Sequence, residues 1–184
     1  MKFYTKASFT PDVSQREKDN LQIAYQAACE GMVLLKNDGA LPFKHKKIAL
    51  YGPGASMTIK GGTGSGEVNE RHSVTILEGL EDRGFEITTK GWIKQFEKDY
   101  ALAEAAYKAE KRKRVNILNL GSLMNMLLDD FRAPIGAPLT DADVEASDTD
   151  SCIYVVRRQA GEGGDRKAEK GDMFLTDEER EAIR

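Results

Sequence analysis

Between Lys47 and Thr89 the chain passes from strand pattern to glycine loop to helix and back to strand, and this succession constrains the fold more than any other feature. KIALY, Lys47 to Tyr51, reads as a short buried strand that stops at the turn residues Gly52, Pro53 and Gly54. A glycine-dense stretch from Ser56 to Asn69 leads into SVTILEGLEDRGF, where Val74, Leu77 and Leu80 recur at helical spacing and Gly84 closes the helix. Phe85 to Thr89 then reads as a second strand. Strand, loop, helix and strand in this order make an α/β unit, in which a helical crossover joins parallel strands.

The flanking segments extend the same architecture. Leu21, Ala24, Ala28 and Met32 follow the polar opening Ser14 to Asn20 at helical spacing, with Gly31 near the end, which predicts an amphipathic first helix. Asp38, Gly39 and Pro42 mark a tight turn. Lys94 to Lys113 has a strongly helical composition, and its basic end, Lys111 to Arg114, complements the carbonyl end of the helix dipole. Thr140 and Thr176 are candidate N-caps of short helices, and Ser151 to Val156 reads as a further strand. Gly121 to Asp130 carries no assignable pattern. The expectation is one α/β domain over residues 1–184, with a leading helix and turn over 1–46 and an α/β core with its loops over 47–184.

Charge and composition exclude several functions. A net charge of −3 gives no bulk electrostatic reason to bind nucleic acid. No apolar run reaches signal-peptide or membrane-span length. Cys29 and Cys152 each lie in an apolar stretch, so both read as reduced core residues. The expectation is a soluble protein of a reducing cytoplasm.

Two loops follow predicted strands and are built from glycine and polar residues, and open α/β sheets bind ligands beyond the carboxyl ends of their strands. The first contains KGGTGSGE, Lys60 to Glu67, where Gly64 and its neighbours let the backbone approach a ligand and leave the Thr63 and Ser65 hydroxyls available. A nucleotide cradle is one reading. Against it, no Gly-Lys-Ser/Thr follows, the glycines begin ten residues beyond Tyr51, and the next strand ends in threonines. The second loop, QAGEGGDR, Gln159 to Arg166, places Glu162 between glycines. It reads either as a polar surface turn or as a carboxylic acid that reaches into a site completed elsewhere.

Four ordered blocks resemble glycoside hydrolase family 3. They are EGMVLLKNDGALPF with KIALYGPGA, then GGTGSG, then GEGGDRK, then GDMFLTDEE. The resemblance implies the first part of a six-stranded α/β sandwich that partners a TIM-like barrel in β-glucosidases and related enzymes. It implies that Glu162 is the catalytic acid/base and that the aspartate nucleophile belongs to a barrel absent from this chain. Ser65 matches a position that reaches the sugar, with Thr63 and Gly64 beside it. Asp165 and Arg166 are expected to order the loop, paired with each other, and Gly164 replaces a tyrosine common in the motif.

The resemblance further implies a β-glycoside substrate and neither cofactor nor metal. Retaining chemistry needs two carboxyl groups about 5 to 5.5 Å apart, and the barrel aspartate would hold Glu162 protonated by like-charge repulsion. The fragment alone is expected to be inactive, and its start at Met1 suggests a permuted protein with the barrel beyond Arg184. A sandwich face left uncovered could drive dimers. A non-catalytic carbohydrate module on the same scaffold and a nucleotide-binding domain are the alternative functions.

Overall fold

The computed structural model describes residues 10–62, 68, 70–114, 131, 133–160 and 165–184. They fall into two compact units, Met1–Pro42 and Phe43–Arg184. The unassigned stretch Gly121 to Asp130 and the residues Thr63, Gly64, Ser65 and Glu162 lie outside the described residues.

The first unit carries helix α1, Gln15–Gly31. It begins where the polar opening predicts, because Ser14 and Glu17 form a reciprocal capping box: the Ser14 Oγ accepts from Glu17 N, and Glu17 Oε2 accepts from Ser14 N at 2.7 Å. No residue of α1 is buried. The turn after it is organised by Asn37, whose Oδ1 accepts from Gly39 N at 3.2 Å and Leu41 N at 3.1 Å. Gly39 occupies the left-handed region there, with φ at 94°.

The second unit is built on β1, Lys47–Tyr51, which is followed by α2, Ile76–Asp82, and β2, Glu86–Ile87. Then come α3, Lys90–Arg114, α4, Asp141–Ala146, β3, Cys152–Tyr154, and α5, Asp177–Ala182. The three strands form a parallel sheet in the order β2-β1-β3. Ile48 pairs with Ile87, and Leu50 pairs with Ile153. As the central strand, β1 is covered on both faces, which explains its unbroken apolar run: Ile48 to Tyr51 are all buried. Ile48, Leu50, Ala55, Ile87 and Ile93 form the core, with Leu77, Leu80, Ile153 and Val155 packed around it.

Helix α2 closes as Gly84 predicts. Phe85 N donates to Leu80 O and Gly84 N to Glu81 O, the paired bonds of a Schellman motif, with Gly84 at φ 76°. The strand after it is shorter than the run Phe85 to Thr89, and the cause is Thr89. Its buried hydroxyl accepts from Leu50 N at 2.9 Å and donates to Leu50 O at 2.7 Å, so a side chain replaces the next rung of backbone pairing. Its carbonyl meanwhile accepts from Trp92 N and Ile93 N, which starts α3 four residues before Lys94. A Thr89→Val variant strands both Leu50 groups in the core. It should lower unfolding free energy by about 1–3 kcal/mol, read by urea denaturation.

Both cysteines are free, as expected, but neither is a core residue: Cys29 lies on the exposed α1 and Cys152 opens β3 at the edge of the sheet. Among the described residues no helix is long and apolar enough to cross a membrane.

Candidate functional site

The strand order creates the site. From β1 the chain crosses to β2 on one side and later reaches β3 on the other, so the carboxyl ends of β1 and β3 flank a topological switch point, the usual ligand crevice of an open α/β sheet. Both glycine-rich loops leave the sheet at this edge, since the strands are parallel.

At the mouth of the crevice β1 and β3 are pressed together. Gly54 N donates to Val155 O at 3.0 Å, and a Cβ on Gly52 would lie 2.5 Å from that same oxygen. Gly52 also has φ at 89°, so this position needs glycine for both conformation and space. A cleft of about 350 Å³ opens beside this contact, walled by Thr58, Ile59, Ile76 and Val155 with the arginines Arg157 and Arg158 at its margin. Thr58 ties the turn to α2: its hydroxyl donates to Gly54 O at 2.7 Å and accepts from Ile76 N at 2.9 Å.

The roots of the two loops touch. Gln159 Nε2 donates to Gly61 O at 3.0 Å, and a Cβ on Gly62 would stand 3.0 Å from Ala160 O. The first loop is also drawn together across its base, where Lys60 pairs with Glu70. The segments bearing Thr63, Gly64 and Ser65 on one loop and Glu162 on the other therefore start from adjoining points on the sheet edge.

The second loop is held by arginines. Arg166 Nη1 donates to Gln159 O at 3.3 Å and Nη2 to Asp172 O at 2.7 Å, while its Nε meets Asp172 Oδ1 at 2.5 Å. The partner of Arg166 is thus Asp172 rather than the adjacent Asp165, which is exposed. A turn over 167–172 brings Asp172 back, with Lys167 N donating to Asp172 Oδ2 at 2.6 Å. Arg158 reaches the same carbonyl, donating from Nε to Asp172 O at 2.8 Å.

Beneath this lies a buried ion pair that the sequence alone did not disclose. Arg158 grips Glu179 with both terminal nitrogens, one of them at 2.6 Å from Glu179 Oε1. The Glu179 side chain is 0% exposed and that of Arg158 19%. Burial pushes the Glu179 carboxyl upward, but the hydrogen bonds from Arg158 and from Thr176 N outweigh it and leave the group below the usual carboxylate range. Burial and the Glu179 charge push the neighbouring Tyr154 phenol up to about 12, so it stays neutral. Glu179 is also the third residue of α5 and closes a capping box with Thr176. That box was readable as Thr-x-x-Glu, whereas the partnership with Arg158, 21 residues away, was not. Among the described residues no group of three His, Cys, Asp or Glu side chains could hold a metal ion.

The chain resembles known glycosidases over its whole length. It is 26% identical to β-glucosidase A of Butyrivibrio fibrisolvens over 196 aligned residues, covering 100% of this chain and 21% of that protein. A β-glucosidase of Rhizobium radiobacter is 36% identical over 76 residues, which is 38% of this chain and 9% of the relative. Among solved structures, β-glucosidase 3B from Thermotoga neapolitana in complex with α-D-glucose superposes with a TM-score of 0.61 at 32% identity, over 92% of this chain and 22% of that one. This chain thus spans about a fifth of the length of the first relative and of the solved structure. The model of the glycosyl hydrolase family 3 C-terminal domain matches residues 32–184. With the three-stranded parallel sheet and its helices matching that structure in fold, the chain belongs to glycosyl hydrolase family 3 and carries its C-terminal domain.

Proposed function

We propose that this chain supplies the general acid/base, Glu162, of a retaining β-glycosidase whose aspartate nucleophile stands on a TIM-like barrel outside this sequence. The observation that carries the reading is the meeting of the two glycine loops at the carboxyl edge of the sheet, through Gln159 and Gly61, in a chain of this family. A carboxylic acid on a loop rooted at this edge can serve a site completed by a second domain. Glu162 would protonate the leaving oxygen and then, as carboxylate, activate the water that releases the sugar. Thr63, Gly64 and Ser65 would line the sugar from the first loop, with the Ser65 hydroxyl as a hydrogen-bonding group. Arg166, through Asp172 and Gln159, orders the second loop.

The substrate is a terminal β-linked sugar, and the protein works in a reducing cytoplasm, where its free cysteines persist. Without the barrel the chain lacks a nucleophile, and its uncovered face is free to self-associate into dimers. The purified chain should therefore show no hydrolysis of nitrophenyl β-glycosides above the buffer rate. Turnover by the chain alone would remove the need for a barrel.

The direct test uses an enzyme containing this chain and its barrel, with Glu162 replaced by alanine and sodium azide added. Azide needs no general base, so a lost acid/base is replaced by the anion, the rate recovers and a β-glycosyl azide accumulates. An unrescued variant that yields no azide adduct would sink the assignment.

A further inference from the structure

We propose that Gln159 is a positioning residue that couples the two loops, so that the placement of the acid/base depends on the first loop as well as on its own. This rests on the acid/base reading of Glu162. Gln159 is bound at both ends. Its side-chain amide donates across to Gly61 O at 3.0 Å, and its own carbonyl accepts from Arg166 Nη1 at 3.3 Å. Arg166 is in turn fixed by Asp172 through two further contacts, at 2.7 Å to the carbonyl and 2.5 Å to the carboxylate.

Gln159 and Arg166 are the two ends of the loop that contains Glu162, so the bond between them sets the width of that loop's base. The bond from Gln159 to Gly61 sets where the base stands relative to the first loop. Gly62 adds a steric limit, because its α-carbon approaches so closely that a Cβ would stand 3.0 Å from Ala160 O. The base of the loop is therefore held from the Arg166 side and from the Gly61 side at once. A proton-transfer group must be set within fractions of an ångström of its partner, and displacement by about 1 Å can cost as much as 10²-fold in rate. Gln159 touches no reacting atom in this scheme. Its effect is transmitted through the backbone.

The test compares Gln159→Leu, which keeps the volume and removes the donor, with Glu162→Ala in the enzyme that contains this chain and its barrel. Each is assayed on a 2,4-dinitrophenyl and a phenyl β-glycoside, with and without azide. Hydrogen exchange is read at Ile59 to Gly62. Gln159→Leu should lower kcat/KM for the phenyl glycoside by about 10-fold and for the dinitrophenyl glycoside by less than about 2-fold. The acid limb and the alkaline limb of its pH profile should remain, azide should not rescue it, and exchange at Ile59 to Gly62 should quicken. Arg166→Lys, which keeps the charge but not the forked contacts, should give the same contrast in weaker form. Equal losses on both substrates, no loss, or unchanged exchange would each overturn the coupling role. Should Glu162→Ala show the leaving-group contrast and Gln159→Leu not, this inference alone fails. Should Glu162→Ala itself show no contrast, the acid/base reading fails and takes this inference with it.

Discussion

On the proposed acid/base role, Glu162→Ala in an enzyme that joins this chain to a barrel domain should slow hydrolysis of an unactivated phenyl β-glycoside by about 10²–10⁴-fold, the usual contribution of a general acid. The same variant should lose far less on a dinitrophenyl glycoside during glycosylation. The difference follows from the leaving group: dinitrophenolate departs without a proton, whereas phenolate needs one in the transition state. With the activated substrate the glycosyl-enzyme should accumulate, because its breakdown still requires a base, so KM falls together with kcat and a burst of dinitrophenolate precedes slow turnover. Steady-state and pre-steady-state kinetics on the two substrates check this. Uniform losses on both would indicate a binding role for Glu162.

The second large effect concerns the base on which this loop rests. Arg158→Met leaves the Glu179 carboxylate fully buried with Thr176 N as its remaining hydrogen-bond donor. Removing one partner of a buried pair costs about 3–5 kcal/mol, so urea denaturation should show a loss of that size. Replacing both partners, as Arg158→Met with Glu179→Leu, should return most of it, since an apolar pair of similar volume has no charge to desolvate.

The pH dependence separates the two states. In the parent chain the folded Glu179 lies below its ordinary value of 4.5. Its stabilising contribution is therefore present above 4.5 and is lost as pH falls through the lowered folded value. In Arg158→Met, burial is opposed by the bond from Thr176 N alone and raises the carboxyl. That variant should then gain stability relative to the parent as pH is lowered from neutrality, the reverse of the parent's behaviour. Denaturant midpoints measured across that range decide it.

Both effects bear on the same loop. Arg158 contributes to holding Asp172, and Asp172 holds Arg166 at the end of the segment with Glu162. Loss of the buried pair should thus loosen the loop that carries Glu162 as well as the fold. Activity in Arg158→Met is expected to fall before global unfolding, and the double variant should recover stability more fully than activity.

Much of this arrangement is legible in the order of residues. The unbroken apolar run Ile48 to Tyr51 is what a central parallel strand requires, and it lies on the central strand. Each of Ser14, Thr75, Thr140 and Thr176 stands three residues before a carboxylate, and each closes a capping box. Such signals are local, and local hydrogen bonds decide them. The ends of β2 are less legible, because Thr89 pairs with Leu50 through its side chain, a contact across 39 residues that no periodicity encodes. The burial expected of Cys29 and Cys152 fails for a related reason: α1 buries no residue and β3 lies at the edge of the sheet, and apolar neighbours in sequence decide neither.

The α/β class, the starts of the helices that open on a capping box, the places where glycine lets the chain turn and, through its ordered motifs, the family all follow from the sequence. These depend on backbone geometry and on spacings of a few residues. Folding in three dimensions was needed to decide that Gln159 meets Gly61, that Arg166 pairs with Asp172 rather than Asp165, and that Arg158 neutralises a fully buried Glu179. Those choices arise when the sheet brings β1 and β3 side by side, because ion pairs and hydrogen bonds are selected by distance in space and by the exclusion of water, neither of which is written along the chain.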